Sequence, residues 1–165
     1  MLTSAGLGGV GWMRARALSG RCHDLEQLRQ ALAVMQAAIS HTRLPAAQAF
    51  ERAGRAGRGV LAQACRLASR ALREGPGLAA GDAWMEAMRA LLDRCFLAPG
   101  DMAVLEEFCL HFGRVDAATQ EALFHDAIAR VDLALEQARQ DRDRLERLYR
   151  FSGLAVGLAV GIMLL

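Results

Sequence analysis

The residues that could do chemistry in this chain are few, and their spacing argues against most of the chemistry. Gly6-Leu7-Gly8-Gly9-Val10-Gly11 satisfies the pattern GxGxxG, with Asp24 and Glu26 downstream. A dinucleotide site needs those glycines between a strand and the helix of a βαβ unit. Only five residues precede the match, and no such unit follows, so the match is formal. Cys109 and His111 stand two apart, a spacing that brings both to one metal on a loop or strand but not on a helix. Cys22-His23 is equally isolated, and a metal site needs three or four convergent ligands. Adjacent Glu106 and Glu107 point to different helical faces and make a poor acid/base pair. No serine sits in a nucleophile elbow, and a chain without lysine has no Walker lysine. Gly54-Arg55-Ala56-Gly57-Arg58-Gly59 could cradle an anion but reads more simply as a flexible turn. His41 and His125 read as surface positions. The sequence thus gives no catalytic residue, metal ligand or cofactor-binding residue, and a non-enzymatic protein is expected.

The elements that would have to position such groups are helical. Hydrophobic residues make up 53% of the 165 positions and aromatics only 5%, so the apolar content is Ala and Leu. Good helix formers dominate and β-branched runs are absent. All 20 basic residues are arginine, and the formal net charge is only +2. Acidic residues interleave with arginine, which argues against nucleic acid as a partner. Cys22, Cys65, Cys95 and Cys109 show no CxxC pair, so reduced thiols are expected, three of them in the core.

Both ends are apolar. Phe151–Leu165 carries no charge, and Leu148 and Tyr149 extend it toward the ~20 residues a spanning helix requires. A segment apolar on every face needs complete burial, and little chain remains to supply it, so a transmembrane anchor over 148–165 is expected. Gly153, Gly157 and Gly161 recur every four residues, a smooth face on which another membrane helix could pack. Residues 1–20 form a shorter apolar segment, a marginal first span packing through Ser4 and Gly8. Arg14 and Arg16 follow its apolar part; Arg142, Arg144, Arg147 and Arg150 precede the second. Positive flanks stay on the cytoplasmic side, so residues 21–147 should form a cytoplasmic domain between two anchors.

Within that domain the 3–4 periodicity marks six helices. Asp24 is expected to cap the first, with Leu25, Leu28, Leu32, Met35 and Ile39 inward. Pro45 opens a second, from Ala46 to about Ala53. A third runs from about Val60 to Leu72. Asp82 caps a fourth bearing Trp84, Met88, Leu91 and Leu92. Pro99 opens a fifth holding Phe108 and Phe112, and Gly113 ends it in a left-handed conformation. Asp116 caps the sixth, with Ile128, Val131, Leu135, Ala138, Leu145 and Tyr149 in a seam. The turn Gly113, Arg114, Asp116 is expected to be structural, with Arg114 able to face a partner.

The order of these pieces resembles the stage III sporulation protein AB family. The resemblance rests on Leu25-Glu26-Gln27-Leu28, Leu44-Pro45 with Ala49-Phe50, and Gly81-Asp82-Ala83-Trp84. It continues through Leu105-Glu106-Glu107-Phe108, Phe112-Gly113-Arg114-Val115-Asp116 with Gln120, and Leu148-Tyr149-Arg150, spanning about residues 21–165. Phe112 and Val115 depart from the family's usual Leu-Gly-Arg-Ser-Asp, and the first apolar segment is shorter than the family's. The resemblance implies an all-α bundle of six helices similar to the cytoplasmic F domain of type II secretion platform proteins, its last helix running into a C-terminal transmembrane anchor. It further implies a platform in the sporulation channel complex between mother cell and forespore. There it would couple a cytoplasmic secretion-type ATPase to membrane subunits, in the mother-cell membrane facing the forespore, a role compatible with a homo-oligomer. A tail-anchored helical adaptor of another membrane assembly is the alternative.

Overall fold

The computed structural model describes residues 4–75 and 77–163, with side chains described for 16–75 and 77–148. The elements are α1 (Ser4–Ser40), α2 (Ala46–Ala56), α3 (Gly59–Glu74), α4 (Ala80–Arg89), α5 (Pro99–His111) and α6 (Ala117–Met163). A short 3-10 turn, Leu92–Arg94, lies between α4 and α5, and no strand occurs among the described residues. The expected six helices are present.

Several boundaries follow the local chemistry of the sequence. Pro99 occupies the first turn of α5, where its missing N–H costs nothing, and the Asp101 carboxylate accepts the Ala98 N–H at 2.8 Å. After α5, Gly113 takes φ +80°, the left-handed region that glycine enters without a Cβ penalty. Asp116 caps α6 as expected, its carboxylate accepting the Thr119 N–H at 3.4 Å. That bond holds the Asp116 carboxyl below the ordinary carboxylate value.

Other expectations are corrected. Asp24 caps nothing: α1 runs unbroken through it, and its buried carboxylate accepts the Phe96 N–H at 2.7 Å. Asp82 also caps nothing, because α4 begins two residues earlier at Ala80. α2 continues to Ala56, leaving only Gly57 and Arg58 between it and α3. Leu92 sits in the 3-10 turn and is exposed rather than inward.

α1 and α6 pack antiparallel, as the pairs Arg29–Asp132 (2.5 Å) and Glu26–Arg139 (2.8 Å) show. Leu25, Leu28, Leu32 and Met35 of α1 and Val131, Leu135 and Ala138 of α6 are buried, while Ile128 and Leu145 are half-buried. The remaining helices complete a core in which Phe50, Trp84, Phe108, Phe112 and Phe124 form one cluster, with neighbouring ring centroids 5.0–5.8 Å apart. Mostly edge-on packing suits ring quadrupoles. Among the described residues, no helix is long and apolar enough to cross a membrane. Residues 149–165 of the expected anchor 148–165, and residues 1–15 of the expected first span 1–20, fall outside the residues whose side chains are described; Leu148 is exposed.

The bundle has two poles. The far pole gathers the end of α1, the starts of α2, α4 and α6, and the ends of α3 and α5; there Gly113 abuts Ala80 and the Ser69 hydroxyl donates to the Ala47 carbonyl at 2.7 Å. At the near pole, α1 residues 20–27 meet Arg58, the segment Leu92–Leu97 and the start of α5.

Candidate functional surfaces

The turn 113–116 and the start of α4 meet at the far pole. A Cβ at Gly81 would lie 1.7 Å from the Cys109 carbonyl oxygen, so α4 and α5 cross with no room for a side chain. Immediately beside this crossing, Arg114 Nη2 donates to Asp82 Oδ2 at 2.6 Å and Nη1 to the Leu110 carbonyl at 3.1 Å. Arg114 and Asp82 stay about half exposed, so their ion pair is a weak fastener. Gly81-Asp82 and Gly113-Arg114, far apart in the chain, are thus one junction.

Between α4 and α5 runs an open groove of about 720 Å³. Met85 and Leu110 supply apolar lining, with Leu110 57% exposed, while Asp82, Glu86, Glu106 and Glu107 carry negative charge and Arg89 positive. Glu107 is engaged by Arg130 at 2.6 Å. Such a surface, acidic on balance, can accept a basic amphipathic segment.

The cysteines are free. Burial pushes the Cys65 and Cys109 thiols up to about 12 and the half-buried Cys95 thiol to about 11. A thiol held neutral is a poor nucleophile. Cys109 is buried while His111 faces solvent. Among the described residues no three His, Cys, Asp or Glu side chains come close enough to hold a metal ion.

The near pole contains the polar network that sequence reasoning missed. Arg21 Nε and Nη2 donate to the two oxygens of Asp101, each at 2.8 Å. The bond to Asp101 raises the Arg21 guanidinium above its ordinary value. Asp101 is buried and also holds the Ala98 N–H; Asp24, one turn along α1 from Arg21, holds the Phe96 N–H. The two carboxylates clamp the segment 95–98 to α1. The available signal was Arg21 and Asp24 sharing one helical face with Leu25 and Leu28, where isolated surface charge is out of place.

Of the expected topology flanks, Arg16, Arg142, Arg144 and Arg147 are exposed. Arg142 lies 3.3 Å from Asp143, and Arg147 Nε donates to the Asp143 carbonyl at 3.3 Å. Arg14 and Arg150, like Gly153, Gly157 and Gly161, lie outside the residues whose side chains are described.

A family model described as stage III sporulation protein AB matches residues 1–165. A solved structure titled "Stage III sporulation protein AB (SpoIIIAB)" is similar with a TM-score of 0.71 and 22% identity, covering 76% of this chain and 98% of that one. No curated protein matches the chain.

Proposed function

The chain belongs to the stage III sporulation protein AB family, and from that premise we propose that it is a membrane platform of the sporulation channel complex. In this reading the helical body couples a cytoplasmic secretion-type ATPase to membrane subunits, and the protein carries out no reaction of its own. The observation that carries the reading is the antiparallel pairing of α1 with α6. The two helices lead toward the uncharged stretches Leu2–Met13 and Phe151–Leu165, so the register favours both anchors leaving the body from the near pole. A hairpin of this kind would fasten the body to the inner surface of the mother-cell membrane facing the forespore. The grooved, half-charged flanks of the body would then be free for partners. The partly apolar, acidic groove between α4 and α5 supports a docking surface in this scaffold reading. Gly153, Gly157 and Gly161 are the proposed packing face for a neighbouring membrane helix, Arg114 the proposed contact at the far pole, and self-association is compatible with both.

The test is fractionation with topology mapping in a sporulating cell. The full-length protein is expected to stay with membranes until detergent is added. Phosphatase fusions at either end should be active outside the cytoplasm, and the ATPase should bind membranes only when the protein is present. Recovery of full-length protein as a dispersed monomer in the aqueous fraction would overturn the reading. A membrane-bound protein that binds no ATPase would instead favour an adaptor of another assembly.

A further inference from the structure

Among the phenylalanines whose side chains are described, Phe96 alone stands outside the aromatic cluster; the other four are buried, whereas Phe96 is 48% exposed. Leu92, in the same connection, is 44% exposed. Exposed apolar side chains scattered singly need no account, but two in the six-residue segment Leu92–Leu97 that the protein clamps in place do. Asp24 fixes the Phe96 backbone at its own level on α1, while the ring reaches one turn further toward the start of α1. There it lies over Gly20, where a Cβ would come within 2.5 Å of the ring. The small residue at position 20 therefore gives the Phe96 ring a seat on α1 at the near pole, with about half of the residue left open.

We infer that the segment Leu92–Leu97 rests in the headgroup layer of the membrane, with Phe96 and Leu92 as interfacial anchors. This deepens the anchoring reading and rests on it. Gly20 lies seven residues after Met13, about 10 Å along the helix at ~1.5 Å per residue. The α1–α6 register places it a similar distance from Leu148. A helix tilt of ~20° brings a side chain ~10 Å off the axis about 3–4 Å nearer. The headgroup layer extends about 5–7 Å beyond the hydrocarbon core, so together they span the gap. Aromatic side chains favour that interface. Arg94 within the loop and Arg144 and Arg147 at the same pole are exposed and suit headgroup phosphates, interleaved with the exposed acids Asp93, Asp141, Asp143 and Glu146. The occupant is lipid and not a second copy, because the loop lies beside the helix that leads toward the membrane.

The test uses the full chain carrying Trp12→Phe, reconstituted in phosphatidylcholine–phosphatidylglycerol vesicles with or without brominated acyl chains. Phe96→Trp and, independently, Leu92→Trp report on the loop, while buried Trp84 serves as the internal reference. Each introduced tryptophan is expected to shift to shorter wavelength on reconstitution and to lose emission to the bromines, with Trp84 emission unchanged. If the chain floats with vesicles but neither introduced tryptophan is quenched, the inference is overturned and the anchoring reading stands. A blue shift without quenching means protein covers the loop, which also overturns it. If the chain does not float, the anchoring reading fails and the inference goes with it.

Discussion

The two poles of the bundle are held by different physics. Near the far pole, α2, α4, α5 and α6 share a cluster of five aromatic rings, and α4 crosses α5 so closely that Gly81 has no room for a side chain. At the near pole the contacts between α1, the 92–97 connection and α5 run through Arg21–Asp101 and the Asp24–Phe96 hydrogen bond. Ring burial is non-directional and scales with area, so the aromatic region supplies stability. A bidentate guanidinium–carboxylate pair contributes less net energy but fixes an orientation. The difference teaches that the protein spends its apolar volume on cohesion and its buried charge on aiming one loop.

That contrast can be broken or sharpened by substitution. Phe108→Ala, which removes the ring touching Trp84, Phe112 and Phe124, is expected to cost about 3–5 kcal/mol in denaturant unfolding. Gly81→Ala pushes a methyl against a backbone carbonyl and should cost about 2–3 kcal/mol, measured in the same way. Asp101→Ala should cost about 2 kcal/mol, less than a fully buried pair because Arg21 is partly open to water and can rehydrate. Its signature should be faster amide exchange at Ala98 with little change in near-ultraviolet aromatic dichroism. If the aromatic signal collapses instead, the two poles are not separable.

Smaller effects probe single residues. Arg43 takes φ +47° in the turn after α1, where the Leu44 N–H reaches the Ala38 carbonyl at 3.1 Å. Arg43→Gly should therefore stabilise the protein by about 0.5–1 kcal/mol. Asp116 is the smallest case. Its carboxyl is depressed by the Thr119 bonds, so its contribution is present above the ordinary carboxylate value and is lost as pH falls through the lowered one. Asp116→Ala should flatten the acid side of the stability–pH profile and leave its alkaline side unchanged.

Much of the far pole was legible in the sequence because its signals are local. Pro99, Gly113 and Asp116 act within a turn of their own position, and the apolar stripes of α1, α4, α5 and α6 fall on the 3.6-residue period. Asp24 and Asp82 misled for the same reason. An acid before an apolar run looks like a cap, and nothing local tells that the Asp24 partner is Phe96, 72 residues away. Gly54 misled similarly: it sits inside α2 beneath Arg66, although its neighbours read as a break. The Arg114–Asp82 junction was half visible, since both residues were singled out but nothing in the spacing joined them. The near-pole clamp left only a trace, Arg21 and Asp24 on the apolar face of α1, because their partners lie 80 and 72 residues away.

α6 has no interruption over its 47 residues. Twist applied to a chain is absorbed where torsion angles are loose, in connections such as 41–45; a continuous hydrogen-bonded helix offers no such place. Phe124, Ala127, Val131, Leu135 and Ala138 also lock α6 into the core, so it cannot rotate alone. A push or tilt at its outer end therefore moves the whole body as one piece.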